Sequence, residues 1–314
     1  MNNKGERFLS RYVPGKMELG PRDMISRAIM KEIDAGNAHE GPYGHYVHLD
    51  LRHLGEDTIN KKLPFVRELV KKYVGIDPVT SPIPVRPVAH YMMGGISTDG
   101  QAKTNIPGLM AAGECACVSM NGANRLGSNS LTECLVFGER AGTQAARHAR
   151  STGSINEATL MAMALDEERR IRKAYLEKTT GTERVSTLRS QLQAAMERGC
   201  GVYRTQDTMQ ACVEEVAALR DRYQHVKIED RHATFNTELI GALELDAMLD
   251  VAQCVVAGAL NRQESRGSHT RTDFPTRDDA KFMKHTLAHY SATGPTLDYS
   301  DVTITRWQPE ERKY

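Results

Sequence analysis

The stretch RPVAHYMMGGISTDGQAKTNIPGLMAAGECACVSMNGANRLGSNSLTECLVFGERAGTQAA, residues 86–146, decides how this chain is read. Near its start, His90 and Tyr91 precede Met92-Met93 and Gly94-Gly95, where two residues without Cβ let the backbone turn sharply or approach a flat ligand closely. In its middle, Gly108 to Glu114 is a short apolar run bounded by glycine, which predicts a buried strand ending in the acid Glu114. An acid placed there can hold a ribose. After a Gly/Asn-rich loop, Leu131, Leu135 and Gly138 fall at helical spacing, and Ser128, Asn129 and Ser130 are each suited to cap that helix. The helix start would aim backbone N–H groups and a positive dipole end at whatever lies before it, with Arg125 adding a full charge. An anionic ligand, or a ring that becomes anionic on reduction, is stabilised in such a place.

On the amino-terminal side, Asp77 to Pro87 carries four prolines and reads as an extended crossover between domains. Further back, Ile25, Ile29 and Ile33 share one helical face, and Pro21 suits the start of that helix, putting Arg22 and Asp23 in its first turn. A cation at the positive end of a helix needs a compensating reason. An ion pair with Asp23 or Glu18 is one such reason, and a binding or catalytic duty is another. Tyr46 to Leu51 alternates as a strand, Arg52 to Gly55 reads as a turn, and Ile59 to Tyr73 is an amphipathic helix broken at Pro64, with Phe65, Leu69 and Tyr73 on one face. His45, His48 and His53 lack acidic or thiol companions at ligand spacing, so they read as strand and surface histidines, with no metal assigned.

On the carboxy-terminal side, Ser151 to Ser154 marks a second linker. Helical patterns then run over Leu160 to Leu176, Val185 to Arg198 and Gln206 to Tyr223, the last with Met209, Cys212, Val213, Val216, Leu219 and Tyr223 on one stripe that reads as core. Glu167 to Arg170 and Arg220 to Arg222 read as solvated faces. Leu239 to Leu260 is apolar around most of its circumference and fits a buried helix at the centre of a bundle. Gln263 to Asp273 reads as a polar surface loop turning at Gly267, and Thr296 to Trp307 as a strand after a Gly294-Pro295 turn.

Forty-one basic against forty acidic residues leave a formal charge of +1, so no bulk electrostatic argument favours nucleic acid or an anionic membrane. The longest mainly apolar uncharged run, Val251 to Leu260, is far short of the ~20 residues of a spanning helix. The first residues lack the apolar core of a secretory signal, which points to the cytoplasm or a membrane face reached through a partner. Cys115 and Cys117 form a close pair without a second cluster, and read as buried or loop thiols.

The phrases HYMMGG, GLMAAGE and GANRLGSNSL, in this order and spacing, resemble the second half of the flavoprotein subunit of fumarate reductase and succinate dehydrogenase. PIPVRPVAHY, LDLRHLGE, ELGPRD and ESRGSHTRTD lean towards fumarate reductase, the last of them implying a place near the flavin domain and the iron–sulfur partner rather than a plain surface loop, and the resemblance extends over essentially the whole chain. It implies FAD as cofactor and fumarate or succinate as substrate. Arg22 would exchange the proton, His90 and Arg125 would bind the carboxylates, Glu114 would take the ribose, and Asn129, Ser130 and Leu131 would start the helix that lies against the flavin. An arginine is a poor acid in water, with a pKa above about 12, so this duty requires a relay and a strongly basic transition state. The implied partners are an iron–sulfur subunit and, through it, membrane anchor subunits, on the inner face of the cell membrane; nucleic acid is not among them.

The G-x-G-x-x-G fingerprint is missing, as are the family's flavin-linking histidine, its histidine–threonine substrate segment and the acidic part of its proton relay. The expected architecture is therefore an α+β or α/β multidomain fragment, the carboxy-terminal portion of such a subunit. It comprises the end of a substrate-capping domain (1–85), the closing segment of an FAD-binding domain (86–150), a helical domain (151–270) and a small tail (271–314). Two alternatives stand beside it: an L-aspartate oxidase, which shares the flavin and the dicarboxylate clamps, and a non-catalytic assembly module that keeps the fold.

Overall fold

The computed structural model describes residues 1–42, 44–153 and 156–310. They fall into two compact units, Met1–His90 and the chain from Tyr91 onward. The architecture is α+β, with long helices and three two-stranded sheets among the described residues. Ser154 of the expected second linker and Glu311–Tyr314 of the expected tail lie outside the described residues.

The first unit contains α1 (Leu9–Tyr12), α2 (Arg22–Asp34), β1 (Val47–Leu49), α3 (Gly55–Lys62), α4 (Pro64–Tyr73) and β2 (Ile83–Val85). Its core joins Phe8, Leu9, Val13, Ala28, Ile29 and Val47. A polar knot lies beside it: the buried Glu32 accepts from Asn2 Nδ2 (2.8 Å), Arg11 Nη2 (2.8 Å) and the Tyr12 hydroxyl (2.8 Å). Burial raises the Glu32 carboxyl, but these three donors outweigh it and hold the group below its ordinary value. The proline-rich tract supplies β2, which pairs antiparallel with β1 through Val47–Val85 and Leu49–Ile83. The helix break expected at Pro64 is present, because proline fits the first turn of α4 but not the interior of a continuous helix. On α4, Phe65 and Tyr73 of the shared face are exposed, and Val70 is the buried residue.

In the second unit, β3 (Ile96–Ser97) pairs in parallel with β4 (Ala116–Cys117). Then come α5 (Asn129–Ser151), α6 (Glu157–Ile171) with a π-helical turn at Arg172–Leu176, α7 (Val185–Cys200), α8 (Gln206–Tyr223), α9 (Thr237–Asn261), α10 (Asp279–Phe282), β5 (Lys284–His289) and β6 (Thr296–Asp301). The apolar stripe of α8 is core as expected, with Met209, Cys212, Val216 and Leu219 buried. Helices α7, α8 and α9 share that core, where Leu188, Leu192, Leu245, Leu249 and Val256 interdigitate. Strands β5 and β6 form an antiparallel ribbon, and the expected strand at Thr296 stops at Asp301.

Three expectations fail here. Gly108 to Glu114 does not form a strand, because positive φ at Gly108 (+85°) and Gly113 (+80°) bends the chain at both ends, leaving one isolated bridge at Met110. The helix expected from Leu131, Leu135 and Gly138 does form as α5, with Leu131 and Leu135 70% and 76% exposed and Glu133, on the opposite side, buried. Arg220 and Arg222 are not simply solvated. Arg220 pairs with Asp246 and Asp250, and Arg222 with Glu183.

The third concerns Gln263 to Asp273, a loop exposed at Gln263, Gly267, Thr272 and Asp273 that is nonetheless anchored by buried charges. Glu264 and Arg271 both have 0% exposure. Glu264 accepts from Arg262 and Arg266, and Arg271 grips Asp273 with two nitrogens (2.7 and 2.6 Å) while its guanidinium lies over the Phe274 ring. Charges enter an interior only in such fully paired form.

Candidate functional site

Two groups of residues assemble, one in each unit. In the first unit, Arg22 opens α2 and Pro21 precedes it in extended conformation (φ −58°, ψ 145°). Among the described residues Asp23 pairs with Arg27 and Glu18 with Arg7. Arg22 Nη1 lies 3.2 Å from His90 Nε2. A guanidinium only donates, so His90 accepts at Nε2 and carries its ring proton on Nδ1. Both side chains are exposed. An adjacent donor pair of this kind suits a carboxylate ligand.

In the second unit the chain turns at Gly94-Gly95 to enter β3. Gly95 adopts φ +138°, and a Cβ there would stand 2.6 Å from the Cys115 carbonyl oxygen. The approach is fixed by Ile96 N–H donating to Cys115 O (2.9 Å) and by Met92 N–H donating to Glu114 Oε1 (2.9 Å). Glu114 is thus an exposed carboxylate tied to the glycine turn, although the strand expected to carry it is absent.

The loop–helix junction that follows gathers Arg125, Asn129, Ser130 and Leu131. Ser128 sits at the cap position in the left-handed region (φ +66°), and its side chain makes no capping bond. With no acid in the first turn of a 23-residue helix, the positive end of α5 lacks a neutralising partner of its own. Below it, the buried Glu133 accepts from the Tyr91 hydroxyl (2.8 Å) and Asn121 Nδ2 (2.8 Å), both on Oε2. The Arg125 guanidinium lies 4.5 Å over the Tyr91 ring and donates through Nη1 to Leu126 O (3.1 Å). Arg125 Nε and Asn121 Oδ1 are buried and meet no partner among the described residues. A glycine cradle, a helix start lacking an acidic partner and two orphaned polar atoms suit a flat, polar group with anionic character.

Tyr91, Asn121 and Glu133 received no role from sequence. The spacing of Leu131 and Leu135 pointed to the helix side opposite Glu133, and only tertiary contact reveals which side is covered. Burial, followed by the bond to Glu133, pushes the Tyr91 phenol up to about 12. Glu133→Gln should therefore bring the Tyr91 midpoint part of the way back towards 10, read by NMR of ring-labelled tyrosine. An unchanged midpoint would mean that the carboxylate does not act on the phenol.

Residues 189–314 match the family described as "Fumarate reductase flavoprotein C-term", and residues 1–131 match that described as "FAD binding domain". The fumarate reductase flavoprotein subunit of Mycobacterium tuberculosis is 50% identical over 100% of this chain and 56% of its own length. The succinate dehydrogenase flavoprotein subunit of Rickettsia bellii is 38% identical over 99% of this chain and 53% of its own. The FrdA chain of Escherichia coli quinol fumarate reductase superposes with a TM-score of 0.91 at 46% identity, covering 99% of this chain and 55% of that one. This chain therefore spans about half the length of the curated relatives it matches.

Proposed function

The chain belongs to the family of fumarate reductase and succinate dehydrogenase flavoprotein subunits, and from that premise we propose that it forms part of an FAD-dependent enzyme interconverting fumarate and succinate. The observation that carries the reading is the Arg22–His90 pair, in which an arginine at a helix start faces a histidine.

FAD, when bound, supplies the hydride chemistry. The residues that would hold it are Glu114 at the glycine turn and Asn129, Ser130 and Leu131 at the start of α5. A small dicarboxylate carries two anionic groups and calls for two clamps, which this reading assigns to His90 and Arg125. Arg22 is assigned the proton delivered to the alkene carbon that does not receive hydride. The Nδ1–H tautomer of His90 leaves its Nε2 lone pair on the guanidinium, so the histidine also orients the proposed acid. The reading further takes an iron–sulfur subunit as electron partner and places the protein peripherally at the inner membrane face through anchor subunits. Among the described residues, no helix is long and apolar enough to cross a membrane.

Because the chain covers 56% of its relative's length and the Leu131/Leu135 face of α5 is exposed, flavin retention is expected to require a family-type amino-terminal half. The test measures flavin content and fumarate reduction by reduced viologen, on the chain alone and with that half added. Flavin and turnover only in the mixture are expected. In that mixture Arg22→Ala should lower kcat by roughly 10²–10⁴-fold, the usual range for a lost acid, with flavin content unchanged. Turnover of L-aspartate instead of fumarate, or full activity of Arg22→Ala, would overturn the assignment.

A further inference from the structure

We infer that Gly267 and Ser268 are positioning residues for Arg125, an inference that rests on the dicarboxylate reading of that arginine. Both contacts fall on one peptide, that of Ala123, two residues before Arg125. The Ala123 carbonyl oxygen accepts from Ser268 N–H (3.0 Å) and from Ser268 Oγ (2.9 Å). Gly267, at φ +60°, lies so close that a Cβ would stand 2.5 Å from Ala123 O and 2.6 Å from its carbonyl carbon.

The arginine has little else to fix it. Among the described residues no carboxylate pairs with Arg125, and its guanidinium meets only the Tyr91 ring and the carbonyl of the next residue. The chain around it is permissive, since Gly122 at φ +60° and the exposed Gly127 bracket the segment. The far side of the contact is rigid by comparison. Arg266 N–H donates to His269 O (2.9 Å) and His269 N–H to Arg266 O (3.0 Å), which closes the turn that carries Gly267 and Ser268. Glu264 and Arg271, both fully buried and ion-paired, anchor the two ends of that turn. A turn 145 residues away in sequence thus sets the backbone from which Arg125 projects. A clamp built on one arginine is sensitive to sub-ångström displacement of its root, so the contact tunes dicarboxylate affinity without touching the ligand.

The test uses the flavin-loaded protein containing this chain, with Ser268→Ala, Ser268→Thr and Gly267→Ala. It measures fumarate KM and kcat, the Kd of malonate (a dicarboxylate that cannot be reduced) by calorimetry, and amide hydrogen exchange across residues 122–127. Ser268→Ala loses one of two bonds and should raise KM and malonate Kd by roughly two- to tenfold, with faster exchange in that segment and unchanged flavin content. Ser268→Thr keeps the hydroxyl and should restore near-native values. Gly267→Ala forces the Ala123 peptide away and should cost roughly tenfold or more in both constants. Gly267→Ala is also strained at its own φ, so Ser268→Ala decides. A malonate Kd within twofold of the parent in Ser268→Ala overturns the inference, as does a fall in kcat with KM and malonate Kd unmoved. Failure of the underlying reading looks different: the parent protein itself binds no malonate and reduces no fumarate, which overturns both.

Discussion

Glu264→Ala is expected to destabilise the protein by about 3–5 kcal/mol, the range for removing one partner of a buried, hydrogen-bonded ion pair. The side chain has no exposure and four donors converge on it: Arg262 Nη1 (2.6 Å) and Arg266 Nε (2.7 Å) on Oε1, with Arg266 Nη2 (2.9 Å) and Asp278 N–H (2.9 Å) on Oε2. Burial pushes the carboxyl up, yet Arg266, the Asp278 amide and Arg262 together hold it below its ordinary value. Truncation to alanine leaves two mostly buried guanidinium groups facing each other across a hole, with 14% and 20% side-chain exposure. Glu264→Gln keeps the volume and one good acceptor, so its cost should be clearly smaller. The control is Glu167→Ala. Its partner Arg170 and the glutamate are each 53% exposed, and such a solvated surface pair contributes little to stability. Urea unfolding followed by circular dichroism measures all three, and equal costs for Glu264→Ala and Glu167→Ala would show that the buried network stabilises nothing.

The burial of that network is what the residues of the segment conceal most, and the reason is physical. Glu264, Arg266, Arg271 and Asp273 look like a solvated loop because isolated charges belong in water. Glu264 and Arg271 go inside only as part of a set, and the set includes backbone carbonyls of Leu260 and Arg262 that bond Arg271 across a fold sequence does not display. Where a single local rule decides, the sequence was legible. Pro64 splits a helix, and the stripe from Met209 to Leu219 faces the core because nothing else on α8 is apolar enough to do so. The α5 face was half legible. Spacing shows that Leu131 and Leu135 share a side, but whether that side is covered depends on what packs there, and here Glu133 points inward instead. For the candidate site, residue chemistry and family phrases singled out Arg22, His90 and Arg125 as candidates, and the Arg22–His90 contact spans 68 residues that no local pattern bridges. The turn at Gly267 was legible, but the contacts of Tyr91, Asn121 and Ser268 left no signal because each is made with residues distant in sequence.

Lowering the pH from about 7 to about 4 should cost the protein up to about 3 kcal/mol through His269 alone, the free energy of the interval between its folded pKa of about 4 and an ordinary 6.5. Burial is the main cause. The bond to the Arg262 carbonyl opposes it, and the neighbouring charges of Arg204, Arg271 and Arg262 each add a smaller lowering effect. The geometry fixes the neutral ring. Arg204 Nη1 lies 2.9 Å from Nδ1 and can only donate, so Nδ1 must accept, while Nε2–H donates to Arg262 O (3.0 Å). A second ring proton would have to sit on Nδ1, against the guanidinium. The folded pKa is depressed, so between about 6.5 and about 4 the unfolded chain binds a proton that the native protein refuses. Stability is complete above 6.5 and falls with pH through that window. Carboxylates act elsewhere on the scale. Asp273, held near 2 by Arg271, gives up its contribution only as pH falls from its ordinary value towards 2. Urea midpoints at pH 7.5, 6.0, 5.0 and 4.5 should therefore decline in the parent and flatten relative to it in His269→Gln, which cannot titrate. Parallel declines in the two proteins would assign the acid sensitivity to other groups, and a parent that gains stability below pH 6 would mean that the ring is charged in the native state.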